Sequence, residues 1–222
     1  MKKTTLLLLA ALIFSHITFG EKWDVMLSDL GQKENPTQNA IAKDEDKIRE
    51  SDNLLSDGAK LLFKEVKTKL TIREQNHIYT QLGFHLSKDK NSFTDGTSEE
   101  DAFGALVLPT DMNKDGIEEI FVSYGNTYTS GMAGAEIVLF IKNEKGVYGK
   151  NLGFPGLIPD ALSSGNKAYP DLVIGGPGFE FPVWRWNGKQ YDLHRRIKNE
   201  ELKTIKTKNI EAMSTQYQNA MK

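Results

Sequence analysis

The spacing of apolar residues predicts that the first part of the chain is helical. Between residues 44 and 70, apolar side chains recur at steps of three, four and seven, which keeps them on one face of a helix. These side chains belong to Ile48, Leu55, Ala59, Leu62, Val66 and Leu70. We therefore expect an amphipathic helix over 44–70, in which Gly58 is a point where the helix can break.

A second helix is predicted to begin after Thr71. Thr71 and Glu74 have the spacing of a capping box, in which each side chain accepts a hydrogen bond from the backbone N–H of the other residue. Gly83 is suited to end this helix because glycine adopts left-handed dihedral angles without strain. Phe84 then follows in a position to pack back on the last turn. The apolar residues of this helix are Ile72, Ile78 and Leu82.

From residue 103 onward, short runs rich in β-branched and aromatic residues predict strands. Glycine, proline and asparagine separate these runs, and the segments 143–146 and 187–188 have the composition of hairpin turns. The predicted strands are 103–108, 119–124, 136–141, 171–174, 181–186 and 190–194. Strands in this order with short turns predict an antiparallel meander over 103–194.

The C-terminal segment returns to a helical pattern. Asn199 is suited to cap a helix, and four apolar residues further on share one helical face that can pack on the sheet. These residues are Ile210, Met213, Tyr217 and Met221. The predicted fold class is therefore α+β, with N-terminal helices and a C-terminal helix packed on an antiparallel β meander.

The N-terminus has the pattern of a signal peptide. Lys2 and Lys3 precede an apolar run over 6–17, and small residues follow before residue 21. This run is shorter than the roughly 20 residues that cross a bilayer. We expect residues 1–20 to be cleaved and the protein to be secreted or periplasmic. The remaining chain is expected to comprise a flexible arm (21–43), a helical region (44–98) and a β module with the C-terminal helix (99–222).

Composition narrows the classes of function. Cleavage after residue 20 would remove two lysines and change the net charge from −2 to −4, which does not favour nucleic acid. The chain has no cysteine, which excludes disulfides, a thiol nucleophile and cysteine-ligated zinc. Stability must then come from an apolar core, with a bound metal as a second contribution.

One motif has the composition of a calcium loop. Residues 111–119 have the sequence Asp-Met-Asn-Lys-Asp-Gly-Ile-Glu-Glu, so oxygen-bearing side chains stand at positions 1, 3, 5 and 9 and glycine at position 6. Calcium takes six to eight oxygen ligands, which a tightly wound loop can supply. The predicted ligands are Asp111, Asn113, Asp115, the carbonyl oxygen of Ile117, and Glu119. The simpler alternative is an acidic turn that binds nothing.

The pattern D-x-N-x-D-G-x-x-E between two predicted strands resembles the calcium loops of FG-GAP and VCBS-type repeats, known from integrin β-propellers and many bacterial exported proteins. The resemblance covers residues 101–145 and extends more loosely to 194. Glu119 stands where those repeats usually carry aspartate. Because the chain contains one such loop, the resemblance implies a single calcium-loop β module of a bacterial exported protein rather than a closed propeller.

Aromatic residues are concentrated over 169–191. Trp184 and Trp186 are two residues apart and project to one face of a strand, and Tyr191 follows on the next predicted strand. Exposed rings of this kind bind a glycan or another protein, whereas buried rings would form a core face under the helices. Sequence alone leaves both interpretations open.

These observations favour a non-catalytic, calcium-binding module of the cell envelope that recognises a protein or a glycan. The alternative is a hydrolase of envelope polysaccharide or peptide that uses carboxylates in the region of Asp160, Asp171 and Glu180. We find no enzyme signature in the sequence, because the histidines are far apart and no serine lies in a nucleophile motif.

Overall fold

The computed structural model of the protein describes residues 54–175 and 178–221. These residues all belong to one compact unit. The predicted signal peptide (1–20), the predicted arm (21–43) and the first ten residues of the predicted helix over 44–70 lie outside the described part of the chain.

A four-stranded antiparallel sheet forms around the predicted calcium motif. Its strands are β3 (Ala105–Thr110), β4 (Glu119–Tyr124), β5 (Glu136–Lys142) and β6 (Tyr148–Pro155). Their order in the sheet follows the chain, so that each strand pairs with its neighbour in sequence. The loop 111–118 is thus the connection of the β3–β4 hairpin.

A second antiparallel sheet has five strands, which are β7 (Asp160–Asn166), β8 (Tyr169–Val173), β9 (Glu180–Trp186), β10 (Tyr191–Lys198) and β11 (Thr207–Asn209). Their order in the sheet is β10-β9-β8-β7-β11. One apolar core joins the two sheets. It contains Phe121 and Leu139 from the first sheet and Leu172 and Trp186 from the second.

The other face of the four-stranded sheet is covered by two helices and a small hairpin. The helices are α1 (Asp57–Leu62) and α2 (Ile72–Leu82), and the hairpin consists of β1 (His85–Leu86) and β2 (Phe93–Thr94). The buried side chains of Ile78 and Phe140 belong to the core between them. The helical region and the β module therefore share one core.

The second predicted helix is confirmed in detail. Thr71 and Glu74 form the capping box, and Gly83 ends α2 in the left-handed conformation, with φ of 77°. In the described part of the first predicted helix, residues 54–70, only α1 is helical, and it ends at Leu62, well before the predicted end at Leu70. After α1, side chains from distant parts of the chain accept hydrogen bonds from the backbone. Gln218 accepts the N–H of Lys67, and Glu118 accepts the N–H of Lys69.

The C-terminal segment also differs from the prediction. Asn199 begins a separate short helix, α4 (Asn199–Leu202), instead of capping the last helix. The cap of that helix, α5 (Ile210–Ala220), is Asn209, whose side chain accepts from the N–H groups of Glu211 and Ala212. Residues 199–209 do not form one continuous helix with α5, because β11 lies in this segment and pairs with β7.

The described residues confirm the α+β class, with antiparallel pairing in all three sheets. The single predicted meander is divided between two sheets. A short helix, α3 (Thr127–Ser130), follows β4. No helix among residues 54–175 and 178–221 is long and apolar enough to cross a membrane.

Because neighbouring strands are antiparallel, the connections between them lie at two opposite ends of the unit. We call one the hairpin end, which holds the turns 111–118, 143–147, 167–168 and 187–190. We call the other the loop end, which holds the connections 125–135 and 156–159 and the described residues 174–175 and 178–179, and which the segments 95–104 and 199–206 also reach, through Asp101 and Asn199. The N–H of Gly156 donates to the carbonyl oxygen of Ala135 at 3.0 Å, so two of these connections lie side by side.

Candidate functional site

The loop 111–118 is tightly wound at the hairpin end. Lys114 has φ of 62° and Gly116 has φ of 85°, so the backbone turns through left-handed dihedral angles twice within three residues. An added Cβ at Gly116 would meet no atom within 4 Å. The conformation of the backbone, and not a lack of space, is therefore what favours glycine at this position.

Asp111 has one carboxylate oxygen with a partner and one without. Its Oδ2 accepts the N–H of Gly116 at 3.1 Å, which closes the loop on itself. Its Oδ1 is buried and has no hydrogen-bond partner. A buried carboxylate oxygen without a partner loses its hydration and gains nothing in return, so this atom is the place in the loop where a cation would be stabilised most.

The other loop oxygens already accept hydrogen bonds inside the loop. Asn113 accepts the N–H of Asp115 through Oδ1, at 3.1 Å. Asp115 accepts the N–H of Ile117 at 2.7 Å and the side-chain amide of Asn113 at 2.8 Å. Each carboxylate oxygen has a further lone pair, so these bonds do not prevent coordination of a metal.

Glu119, predicted as the last ligand, lies in the core between the two sheets. Its side chain is 1% exposed. Its Oε2 accepts the N–H of Met112 at 2.7 Å, and its Oε1 accepts the hydroxyl of Tyr169 at 3.0 Å. Burial raises the pKa of Glu119 from 4.5 to about 7, and the charges of Asp115 and Asp111 raise it too, whereas the two hydrogen bonds lower it.

The structure does not bring the three predicted carboxylates together as one ligand set. Within the described residues, no group of three or more His, Cys, Asp or Glu side chains is arranged to hold a metal ion. The other four predicted ligands, all within the loop, are the side chains of Asp111, Asn113 and Asp115 and the carbonyl oxygen of Ile117. Glu119 differs from these four in that its carboxylate lies in the core and accepts hydrogen bonds from Met112 and Tyr169, so its place in the ligand set stays a prediction.

Glu118 is a structural residue that sequence reasoning did not identify. Its side chain is buried and accepts the hydroxyl of Thr68 and the N–H of Lys69. Its backbone carbonyl accepts the hydroxyl of Tyr148. Glu118 thus fastens the segment after α1 to the β3–β4 hairpin. Nothing in the local sequence indicates these partners, because they are 30 to 50 residues away.

Two of the three aromatic residues predicted for ligand binding lie in the core. Trp186 is 9% exposed and Tyr191 is 3% exposed. Their rings pack on Tyr169, with centroid distances of 4.5 Å and 6.1 Å, respectively. They therefore offer no ring face to an external ligand, which corrects the expected binding role and agrees with the core interpretation.

Trp184 is the half-buried member of the group. Its ring is stacked on Phe154 at 5.9 Å with an interplanar angle of 6°, so one of its faces is occupied. The indole Nε1 is buried and has no hydrogen-bond partner. The stacking of these two rings therefore contributes to the packing of the two sheets and does not form an open platform for a ligand.

The carboxylates considered for hydrolysis do not face one another as an acid–base pair. Asp171 is buried and accepts two hydrogen bonds from Arg185, at 2.8 Å and 2.7 Å, and one from Ser164. Burial alone would raise the pKa of Asp171, but these bonds outweigh it and lower the pKa. Asp160 accepts from the side-chain amide of Asn209, and Glu180 lies two strands away on β9.

Comparisons with known proteins give no relative for the chain. No protein-family model matches it, and neither a curated protein nor a solved structure matches it. The resemblance to FG-GAP and VCBS-type loops therefore rests on the residues of the motif and stays a prediction.

Proposed function

We propose that the protein is an exported, non-catalytic module of the cell envelope whose β3–β4 hairpin binds one calcium ion. The observation that carries this proposal is the buried Oδ1 of Asp111, which has no hydrogen-bond partner at the start of a loop whose side chains supply oxygen donors. A bound cation would neutralise this atom. Export is supported by the signal-peptide pattern of residues 1–20.

The proposed ligands are the side chains of Asp111, Asn113 and Asp115 and the carbonyl of Ile117. Water would complete the six to eight oxygens that calcium takes. A site with two carboxylates is expected to bind calcium weakly, with a Kd of roughly 10⁻⁴–10⁻³ M, as extracellular modules do. The ion would stabilise the folded hairpin by about 1.4 kcal/mol at a concentration ten times its Kd. Its role is structural.

The test is a calorimetric titration of calcium into the metal-stripped protein, with the melting temperature measured in parallel. We expect a one-site heat and a raised melting temperature, both of which Asp111→Ala should abolish. The matched control is Glu144→Ala, which removes an exposed carboxylate from the neighbouring turn 143–147 at the same end of the unit. It should keep both effects. If the unaltered protein gives neither heat nor a thermal shift, the loop is an acidic turn and the proposal fails.

The titration also shows whether Glu119 belongs to the ligand set. Because the pKa of Glu119 is about 7, coordination by its carboxylate at pH 7 would release protons. A cation held by Asp111 and Asp115 alone would also release protons, because the charges of these residues raise the pKa of Glu119. Glu119→Gln therefore decides between the two ligand sets: with the set proposed here the variant should keep the one-site heat, and loss of the heat would place Glu119 in the coordination shell.

A further inference from the structure

The C-terminal helix α5 runs from the loop end of the unit toward the calcium motif. It begins at the loop end, because the N–H of Ile210 donates to the carbonyl oxygen of Pro159. From there it packs along β3, the strand that leads into the loop 111–118. Tyr217 follows about 10 Å further along the axis of the helix. The direction of α5 therefore carries Tyr217 toward the hairpin end, where the loop lies.

The segment after α1 connects this part of α5 to the loop. The side-chain oxygen of Gln218 accepts the N–H of Lys67 at 3.0 Å. The ammonium group of Lys69 lies over the ring of Tyr217, 5.5 Å from its centroid. The N–H of Lys69 in turn donates to the carboxylate of Glu118 at 2.9 Å. These contacts place Tyr217 close to Glu118, the last residue of the loop.

The hydroxyl of Tyr217 is buried and has no hydrogen-bond partner. Burial raises the pKa of Tyr217, and the carboxylate of Glu118, followed by those of Asp111 and Glu119, raises it further. The hydroxyl is thus close enough to the carboxylates of the calcium motif for their charges to act on it. Oδ1 of Asp111 is also buried without a partner. Among the described residues, two of the three buried side-chain atoms that lack a partner therefore belong to the surroundings of the loop.

Packing alone does not account for a tyrosine at position 217. The other tyrosine hydroxyls that are buried under the helices or between the sheets donate to an oxygen atom of the protein, namely those of Tyr79, Tyr148, Tyr169 and Tyr191. A phenylalanine at position 217 would fill almost the same volume and would leave no polar atom without a partner. The hydroxyl is therefore the part of Tyr217 that needs an explanation.

We propose that Tyr217 is a positioning residue of the calcium site, whose hydroxyl links a water molecule on the ion to the carboxylate of Glu118. A hydroxyl donates one hydrogen bond and accepts others, so it can donate to Glu118 while it accepts from the water. The charge of Glu118 then stabilises the water that the ion polarises, although Glu118 does not coordinate the ion itself. This role rests on the proposed function, because it requires the ion in the loop.

The test is Tyr217→Phe, which removes the hydroxyl and keeps the ring. In a calorimetric titration with calcium chloride, the variant should bind calcium about tenfold more weakly than the unaltered protein, as is typical when a group that orients a metal ligand is removed. In EDTA its melting temperature should equal or exceed that of the unaltered protein, because the substitution removes a buried polar atom that has no partner. At one calcium concentration, the rise in melting temperature should be smaller in the variant.

The matched control is Tyr79→Phe. Tyr79 is half-buried like Tyr217, but its hydroxyl donates to the carbonyl oxygen of Phe84 at 3.0 Å, in the core that α2 covers. This variant should melt at a lower temperature in EDTA and in calcium alike, because a hydrogen bond is lost in both conditions. Its affinity for calcium should equal that of the unaltered protein.

The outcomes separate this role from the proposed function. If the unaltered protein does not bind calcium, both fail. If the unaltered protein and Tyr217→Phe bind calcium with the same affinity, the calcium site stands and only the role of Tyr217 is refuted. A melting temperature of Tyr217→Phe that is lowered by the same amount in EDTA and in calcium would show that the hydroxyl makes a purely structural hydrogen bond, which also refutes the role.

Discussion

The hydroxyl of Tyr169 in the five-stranded sheet donates a hydrogen bond to Oε1 of Glu119 in the four-stranded sheet, over 3.0 Å. Both side chains are buried, so this bond connects the two sheets through a polar contact inside an apolar core. A carboxylate in such surroundings makes the stability of the fold depend on pH.

The first prediction concerns this pH dependence without calcium. Burial raises the pKa of Glu119 from 4.5 to about 7, so between these values the folded protein holds a proton that the unfolded chain releases. The free energy of unfolding should therefore fall as the pH rises from about 4.5 to 7, by up to about 3 kcal/mol from this group. Urea unfolding in EDTA at intervals from pH 5 to pH 8 measures the effect.

The matched variant is Glu119→Gln, which keeps the size of the side chain and removes its charge. Its free energy of unfolding should vary much less over the same range, and it should exceed that of the unaltered protein at pH 8. Parallel curves for the two proteins would show that another group causes the pH dependence.

The second prediction compares two buried tyrosines in the same cluster. Tyr169 donates to the carboxylate of Glu119, whereas Tyr191 donates to the carbonyl oxygen of Pro170 at 2.9 Å. Tyr169→Phe should cost roughly 1.5–3 kcal/mol at pH 8, where Glu119 is charged, and less at pH 5. Tyr191→Phe should cost about 1 kcal/mol at both values. Equal costs at both pH values for Tyr169→Phe would contradict a bond to a titrating group.

The third prediction distinguishes two reasons why a position favours glycine, namely a lack of space for a side chain and a positive φ angle. A Cβ on Gly165 would lie 2.2 Å from the backbone oxygen of Tyr169, which cannot move without breaking the β7–β8 pairing. Gly116 has positive φ but open space around it. Gly116→Ala should therefore cost only about 1 kcal/mol, and Gly165→Ala should cost clearly more. Thermal unfolding of the two variants shows which substitution costs more stability. A greater cost for Gly116→Ala would contradict the steric argument.

Features that depend on neighbouring residues could be predicted from the sequence. The capping box of Thr71 and Glu74 and the end of α2 at Gly83 are local, and both are confirmed. The strand predicted over 119–124 has the observed bounds of β4, because its run of apolar and aromatic residues is unbroken. The winding of the loop 111–118 likewise follows from glycine and short polar side chains.

Features that depend on distant partners could not be predicted. The strands β6 and β7 contain glycine, serine and asparagine and few β-branched residues, yet they are strands because β5 and β8 pair with them. The burial of Glu119 depends on Tyr169, which lies 50 residues further along the chain. The motif predicts a ligand at Glu119, but its burial and its bond to Tyr169 are visible only in the tertiary structure.

The helix α5 packs along β3, and its first residue, Ile210, is fully buried in the core between the sheets. β3 therefore obtains part of its packing from a segment that is synthesised about a hundred residues later. While the chain is still emerging from the ribosome, the first sheet is incomplete and its apolar surface is uncovered. This order of synthesis delays completion of the first sheet, which would suit the export proposed above, because a chain threads through a secretion channel in the unfolded state.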